Sequence, residues 1–207
     1  AKEAVPTLHG LLKGTDRELS GQATEALGLI GAGEAAPTLE TYWVDACAAR
    51  RHDAAAAAAL ALWRVSKSDK ALAYLQERVR EKSPDAAVLK AIAGVGAPAQ
   101  NNVPDLIRVL NGDPDVTKRL LAADALGRIG LADHKAIPPL ITALKHPDVE
   151  LRIRAARALA RFEDAADNAV SRLLDLIHDP VSPRLRYAAG EALRQIDPVA
   201  ARDAGIP

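Results

Sequence analysis

The side chains able to do chemistry in this sequence are few and poorly gathered. Its five histidines, His9, His52, His134, His146 and His178, are scattered along 207 residues. No two stand at a spacing that would place both on one helix face as metal ligands, and none forms a His-Glu pair. The single cysteine, Cys47, is followed one helical turn later by Arg50 and Arg51. Cations that close could depress a thiol pKa, but a lone cysteine on a helix is more simply a small buried hydrophobe. Serines, histidines and aspartates are present, yet no spacing arranges them as nucleophile, base and orienting acid. Gly31-Ala32-Gly33 and Gly94-Val95-Gly96 follow helical patterns, so they read as helix stops and not as phosphate loops. The expectation is a chain with no catalytic residue, no cofactor and no metal site.

Binding is the chemistry that the side chains favour. Nine of the twelve arginines after residue 98 fall within three segments, 115–129, 148–161 and 183–196. With Lys118 they outnumber the acids there (Asp115, Asp124, Asp148, Glu150 and Glu191) by five. Arg154, Arg157 and Arg161 stand at i, i+3 and i+7, which is one stripe of a helix. Arg64, Arg128 and Arg161 each lie two residues after an Ala-Leu pair, and Arg194 lies one residue after such a pair. Trp63 takes a position that is elsewhere Gly28, Ala93, Gly127, Ala160 or Arg194. A ring there must point partly outward, as a binding hot spot would, or plug an irregular junction together with Tyr42, Trp43 and Tyr74. Trp43 is better read as packing. Trp63, Arg64, Arg128, Arg154, Arg157, Arg161 and Arg194 are therefore the candidate partner-binding residues, for a protein segment that is acidic or extended. Their plain alternative is a solvated face.

Composition narrows the classes. The chain holds 27 basic and 27 acidic residues, with no basic tail or acidic block. Neutrality weighs against nonspecific binding to nucleic acid or to a membrane surface, because both depend on a surplus of cations. Half the residues are hydrophobic (49%) but only 3% are aromatic, so Ala and Leu must build the core. Small aliphatics suit helices packed closely side by side. The Ala54–Leu62 run is the most apolar stretch and is too short to span a bilayer.

The elements that would carry these side chains repeat. A small residue, an aliphatic, two variable positions and a second aliphatic recur as Ala26-Leu27-Gly28-Leu29-Ile30, Ala61-Leu62-Trp63-Arg64-Val65 and Ala91-Ile92-Ala93-Gly94-Val95. They return as Ala125-Leu126-Gly127-Arg128-Ile129, Ala158-Leu159-Ala160-Arg161-Phe162 and Ala192-Leu193-Arg194-Gln195-Ile196. The spacings from one aliphatic to the next are 35, 30, 34, 33 and 34 residues. Upstream, Val5-Pro6, Val103-Pro104 and Ile137-Pro138 place proline in the first turn of another helix, where a missing N–H costs nothing. Asp16, Asp115 and Asp148 fall at matching positions as N-caps of the second helices, and Gly31 and Gly130 as their stops. Each unit is thus two helices and a turn. One hairpin cannot bury its apolar stripe alone, whereas six stacked copies can. The sequence predicts an all-α, right-handed α-solenoid of about six hairpins and twelve helices. It would form one domain over residues 1–207, with repeats at about 1–31, 34–66, 69–96, 99–130, 134–163 and 166–197.

These features resemble the HEAT-repeat family, in particular the short bacterial form related to phycobilisome-lyase HEAT-like repeats. The likeness is strongest where Asp115-Val116 with Arg119, Ala122, Ala123, Ala125 and Leu126 is matched by Asp148-Val149 with Arg152, Ala155, Ala156, Ala158 and Leu159. It is looser over residues 34–90. The resemblance implies a superhelix whose second helices line a concave, partner-holding side. It also implies that Arg119, Arg152 and Arg186, each seven residues before its anchor leucine, pair with an acid of the next repeat as a structural ladder.

A protein-interaction scaffold, part of a larger bacterial protein, is the expected function. The alternatives are a bilin lyase-like chromophore handler and a HEAT-like nucleic-acid-binding protein of the DNA glycosylase type. Location is left open with a lean to the cytoplasm, since a targeting signal could lie outside this sequence, which contains no methionine.

Overall fold

The computed structural model describes residues 2–14, 16–130, 134–180 and 182–206; Ala1 and Pro207, the ends of the expected domain, lie outside them. Every regular element among the described residues is helical. The chain divides into two compact units, residues 1–95 and 96–207. The first contains three hairpins: α1 (Val5–Leu12) with α2 (Arg17–Ile30), α3 (Ala36–Ala48) with α4 (His52–Ser66), and α5 (Asp69–Val79) with α6 (Ala86–Val95). The second contains α7 (Val103–Gly112) with α8 (Val116–Ile129), α9 (Ile137–Ala143) with α10 (Val149–Ala160), and α11 (Val170–Leu176) with α12 (Pro183–Ile196). A short α13 (Pro198–Asp203) closes the second unit. The fold is an all-α solenoid of helical hairpins; among the described residues α13 is a thirteenth α-helix where the repeat pattern predicts about twelve.

Local chemistry explains where the helices start. Pro6, Pro104 and Pro138 sit in the first turns of α1, α7 and α9. The Asp16 carboxylate accepts from the Glu18 and Leu19 amides, Asp115 from Thr117, and Asp148 from Leu151, at 2.8–3.1 Å. Ser182 caps α12 in the same way through the Leu185 amide, at 3.1 Å. First helices are commonly entered through a 3-10 turn, as at Gly33–Ala35, Ala97–Asn102, His134–Ala136 and Glu163–Ala169, a feature absent from the sequence reading. The glycine stops work by different means. Gly31 adopts φ +67°, the left-handed region that glycine reaches without strain. Gly130 does not; a Cβ there would lie 3.1 Å from both Ala136 and Phe162, so size is its constraint.

All six anchor aliphatics, Leu27, Leu62, Ile92, Leu126, Leu159 and Leu193, are buried. Around them the core is Ala and Leu, with Leu39, Leu75 and Leu89 in the first unit and Leu140, Leu144 and Leu151 in the second. Small residues let consecutive second helices touch backbone to backbone. A Cβ built on Gly28 of α2 would fall 2.9 Å from Ala61 Cα of α4. One on Gly127 of α8 would fall 2.8 Å from Ala158 Cα of α10. The same contact thus recurs in both units, at the repeat position after the anchor leucine.

Gly127→Ala is therefore expected to lower stability by about 1–3 kcal/mol through overpacking, although alanine is the better helix former. Gly21→Ala, mid-helix in α2 with nothing within 4 Å of the added methyl, is expected to raise it by about 1 kcal/mol. Thermal unfolding of the two variants checks the contrast, and equal effects would show that seam packing is not what the glycine serves.

Candidate functional site

Two sets of arginines leave the helices of the second unit in opposite roles. The first set lies at the turns. Asp113, His146 and Asp179 occupy equivalent turn positions, 33 residues apart. Each folds back on its own turn: Asp113 Oδ1 accepts from the Asp115 amide at 2.9 Å, His146 Nδ1 from Asp148 at 3.0 Å, and Asp179 Oδ1 from Ser182 at 2.8 Å. Arg119 donates through Nε to the Asp113 carbonyl and brings Nη1 to 3.1 Å from His146 Nε2 in the next repeat. Arg152 repeats the forward reach, with Nη1 3.2 Å from Asp179 Oδ2. Arg186 repeats the backward one, donating Nη1 to the Asp179 carbonyl at 2.7 Å. The side chains of Arg152 and Asp179 are only 17% and 12% exposed, so this pair is screened far less than a surface ion pair.

The second set stands at more exposed positions of the second helices. Arg154 is held by Asp124 of α8 at 2.6 Å and by Glu150, one turn back, at 3.1 Å. The other Glu150 oxygen takes Arg184 of α12 at 3.2 Å. Four charges thereby stitch α8, α10 and α12 together. Arg194 is paired with Glu191 within α12. Arg128, Arg157 and Arg161 are exposed and make no ion pair among the described residues. Arg157 and Arg161 are one turn apart, and Arg128 is the repeat equivalent of Arg161 on the helix that Gly127 presses against Ala158.

In the first unit the candidates are arranged differently. Arg64 is half-buried and lies across the seam. Its Cδ is 3.8 Å from where a Gly28 Cβ would be, and an Nη is 3.2 Å from the corresponding point of Gly94. Trp63 is half-buried, with the Lys67 ammonium 5.0 Å from its ring centroid. Trp43 packs edge-on against Tyr74, ring centroids 5.6 Å apart. Tyr42 is buried beneath the Arg51 guanidinium, 5.3 Å from its ring. Cys47 joins the Trp43–Tyr74 cluster. Burial pushes its thiol pKa up, and the groups that oppose this are Tyr74 and Arg78, not the adjacent Arg50 and Arg51. Burial likewise pushes Tyr74 up to about 12, with the nearby Cys47 adding to it.

Over residues 103–194 the sequence matches the family model of HEAT repeats. The match covers 92 of the 207 residues and bears on that stretch alone. No curated protein matches the chain. Among solved structures, a designed armadillo repeat protein in complex with the peptide (KR)4 superposes with a TM-score of 0.62 at 16% identity, covering 93% of this chain and 99% of that one. An engineered protein gives 0.60 at 22% identity, covering 94% and 98%. The complex of CpcE and CpcF of phycocyanin lyase from Nostoc sp. PCC7120 gives 0.59 at 21% identity, covering 97% and 79%. At these identities the likeness is one of fold.

The HEAT stretch includes the whole turn series and every candidate arginine except Arg64. The Asp113, His146 and Asp179 series escaped sequence reasoning although its 33-residue spacing was there to be read. The mixed residue types hid it. His146 is the odd member. A neutral imidazole accepts at one nitrogen only, and Nδ1 already accepts from Asp148, so Nε2–H faces the Arg119 guanidinium, donor against donor.

His146→Asp supplies an acceptor to each and is expected to stabilise the chain by about 1 kcal/mol, a Tm rise of roughly 2–4 °C. Calorimetry near neutral pH measures it, and a fall in Tm would mean that the ring's packing outweighs its mismatched donor. A second expectation concerns alkaline pH. The folded state holds the Tyr74 proton above its ordinary value of 10, so this group's contribution to stability is complete below pH 10 and is lost as pH rises toward 12. Tyr74→Phe removes that loss, so alkaline denaturation curves of the two proteins should converge at neutral pH and separate above about pH 10.

Proposed function

We propose that the chain is a protein-interaction scaffold that holds an acidic, extended segment of a partner on the second helices of its HEAT stretch. The supporting observation is the division of labour among the arginines. Arg154 and Arg184 are spent on Asp124 and Glu150, whereas Arg128, Arg157 and Arg161 are left exposed and without a counter-ion among the described residues. Planar guanidiniums in that state suit bidentate capture of carboxylates, and their mutual repulsion is relieved when an acidic segment covers them. The ion-paired neighbours hold α8, α10 and α12 in register, so binding orders little of the scaffold itself.

The fold supports this reading. Repeat solenoids of this kind present extended surfaces built from equivalent positions of successive repeats. In one structural neighbour the bound partner is a peptide, (KR)4, which is basic where the segment proposed here is acidic. No helix among the described residues is long and apolar enough to cross a membrane. Trp63 and Arg64 are the corresponding candidates of the first unit taken by itself, with a half-buried ring and a seam-spanning guanidinium.

A fluorescein-labelled oligoglutamate peptide is the direct probe. Wild-type chain should bind it saturably at low salt, and affinity should fall as salt rises. The triple change Arg128→Glu, Arg157→Glu and Arg161→Glu should weaken binding at least tenfold, about 1.4 kcal/mol or more, while the Tm stays within a few degrees. Arg184→Glu serves as the control, since it adds the same kind of charge change outside the patch. Absence of binding, or equal losses in the triple variant and the control, would overturn the arginine-face reading.

A further inference from the structure

A cavity in the first unit belongs to neither the turn series nor the second-helix arginines of the HEAT stretch. Its volume is about 680 Å³, and its walls are the start of α2 (Arg17, Gly21), Tyr42 of α3, and the turn and first turns of α4 from Ala49 to Ala54, with Ala57. That size falls within the range of small-molecule sites. Gly21, Ala49, Ala54 and Ala57 make its floor small and apolar. Its charge is one-sided: Arg17, Arg50 and Arg51 face a single carboxylate, Asp53. None of the three arginines makes an ion pair among the described residues, although the chain as a whole is neutral. Two further acids lie nearby but outside the cavity wall: Asp85 holds His52 Nδ1 at 2.9 Å and lies 3.5 Å from Arg78, and Asp45 lines an adjoining hollow that shares Tyr42 and Arg51.

We infer that this cavity binds a small phosphate monoester, its phosphate among Arg17, Arg50 and Arg51 and its organic part on the Gly21–Ala57 floor beside Tyr42. Charge decides for phosphate over carboxylate. Three guanidiniums against one carboxylate leave two positive charges to be met, and a phosphate monoester near neutral pH carries close to two negative ones. Forked guanidiniums also match phosphate oxygens in pairs. Two local features agree with this. Arg51 is already oriented, since its guanidinium rests on the Tyr42 ring. The first turn of α4, a helix of 15 residues, starts without any side-chain cap, whereas Asp16 caps α2.

The test uses the full chain labelled with 15N and titrated with phenyl phosphate at about pH 7.5, where the ester is a dianion. Saturable amide shifts confined to residues around 17–21 and 49–57 are expected. Arg50→Gly removes a guanidinium at a residue with φ +53°, where glycine is free of strain, so the fold is kept. Combined with Arg17→Ala it should weaken binding at least tenfold with Tm unchanged or raised. Benzoate, which pairs the same ring with a single charge, should bind at least tenfold more weakly than phenyl phosphate. Shifts that do not saturate, binding unchanged in the double variant, or benzoate binding as well as phenyl phosphate would each overturn the assignment.

Discussion

The structure depends on how closely successive second helices approach. Gly28 against Ala61 and Gly127 against Ala158 leave no room for another methyl group, since a Cβ on either glycine would meet backbone at under 3 Å. At that separation the helices are held by many short dispersion contacts and not by bulky core side chains. That is how a chain with a single phenylalanine can bury enough surface to fold. The anchor aliphatics, buried in every hairpin, complete the arrangement.

Close approach also determines what the charged residues can do. Helices that nearly touch bring side chains of neighbouring repeats within reach of one another, so Asp124 of α8 meets Arg154 of α10, and Glu150 of α10 meets Arg184 of α12. Opposite charges on adjacent helices cancel into a network, and only the positions without an acid opposite keep their charge for a partner. At the turns the same spacing lets Arg152 reach Asp179 of the next repeat, where partial burial protects the pair from screening. The first unit departs from this regularity. Its first helix α3 runs to 13 residues, whereas the first helices α9 and α11 have seven each, and α3 carries Trp43, which packs against Tyr74 of α5.

Much of this was legible without coordinates. Period and helix type follow from Ala-Leu anchors about 33 residues apart, because a hairpin must present its apolar stripe at the same point in every copy. Caps such as Asp16, Asp115 and Asp148 and first-turn prolines such as Pro104 were legible because the interactions are local, spanning two or three residues. The position of Trp63 was readable as an anomaly, but its surroundings were not: the Lys67 ammonium over its ring depends on a left-handed residue at the end of α4.

What the sequence by itself determined, then, is the repeat: helix, turn, helix, with a small residue wherever two backbones meet. Which arginine is spent and which is free was decided only by the tertiary structure, because the acids that neutralise Arg152 and Arg154 lie 27 and 30 residues away in the chain. The same holds for the arginine cavity, whose walls come from three helices. Local rules act over one helical turn; charge pairing acts across the stack, and its outcome depends on a register that folding alone sets.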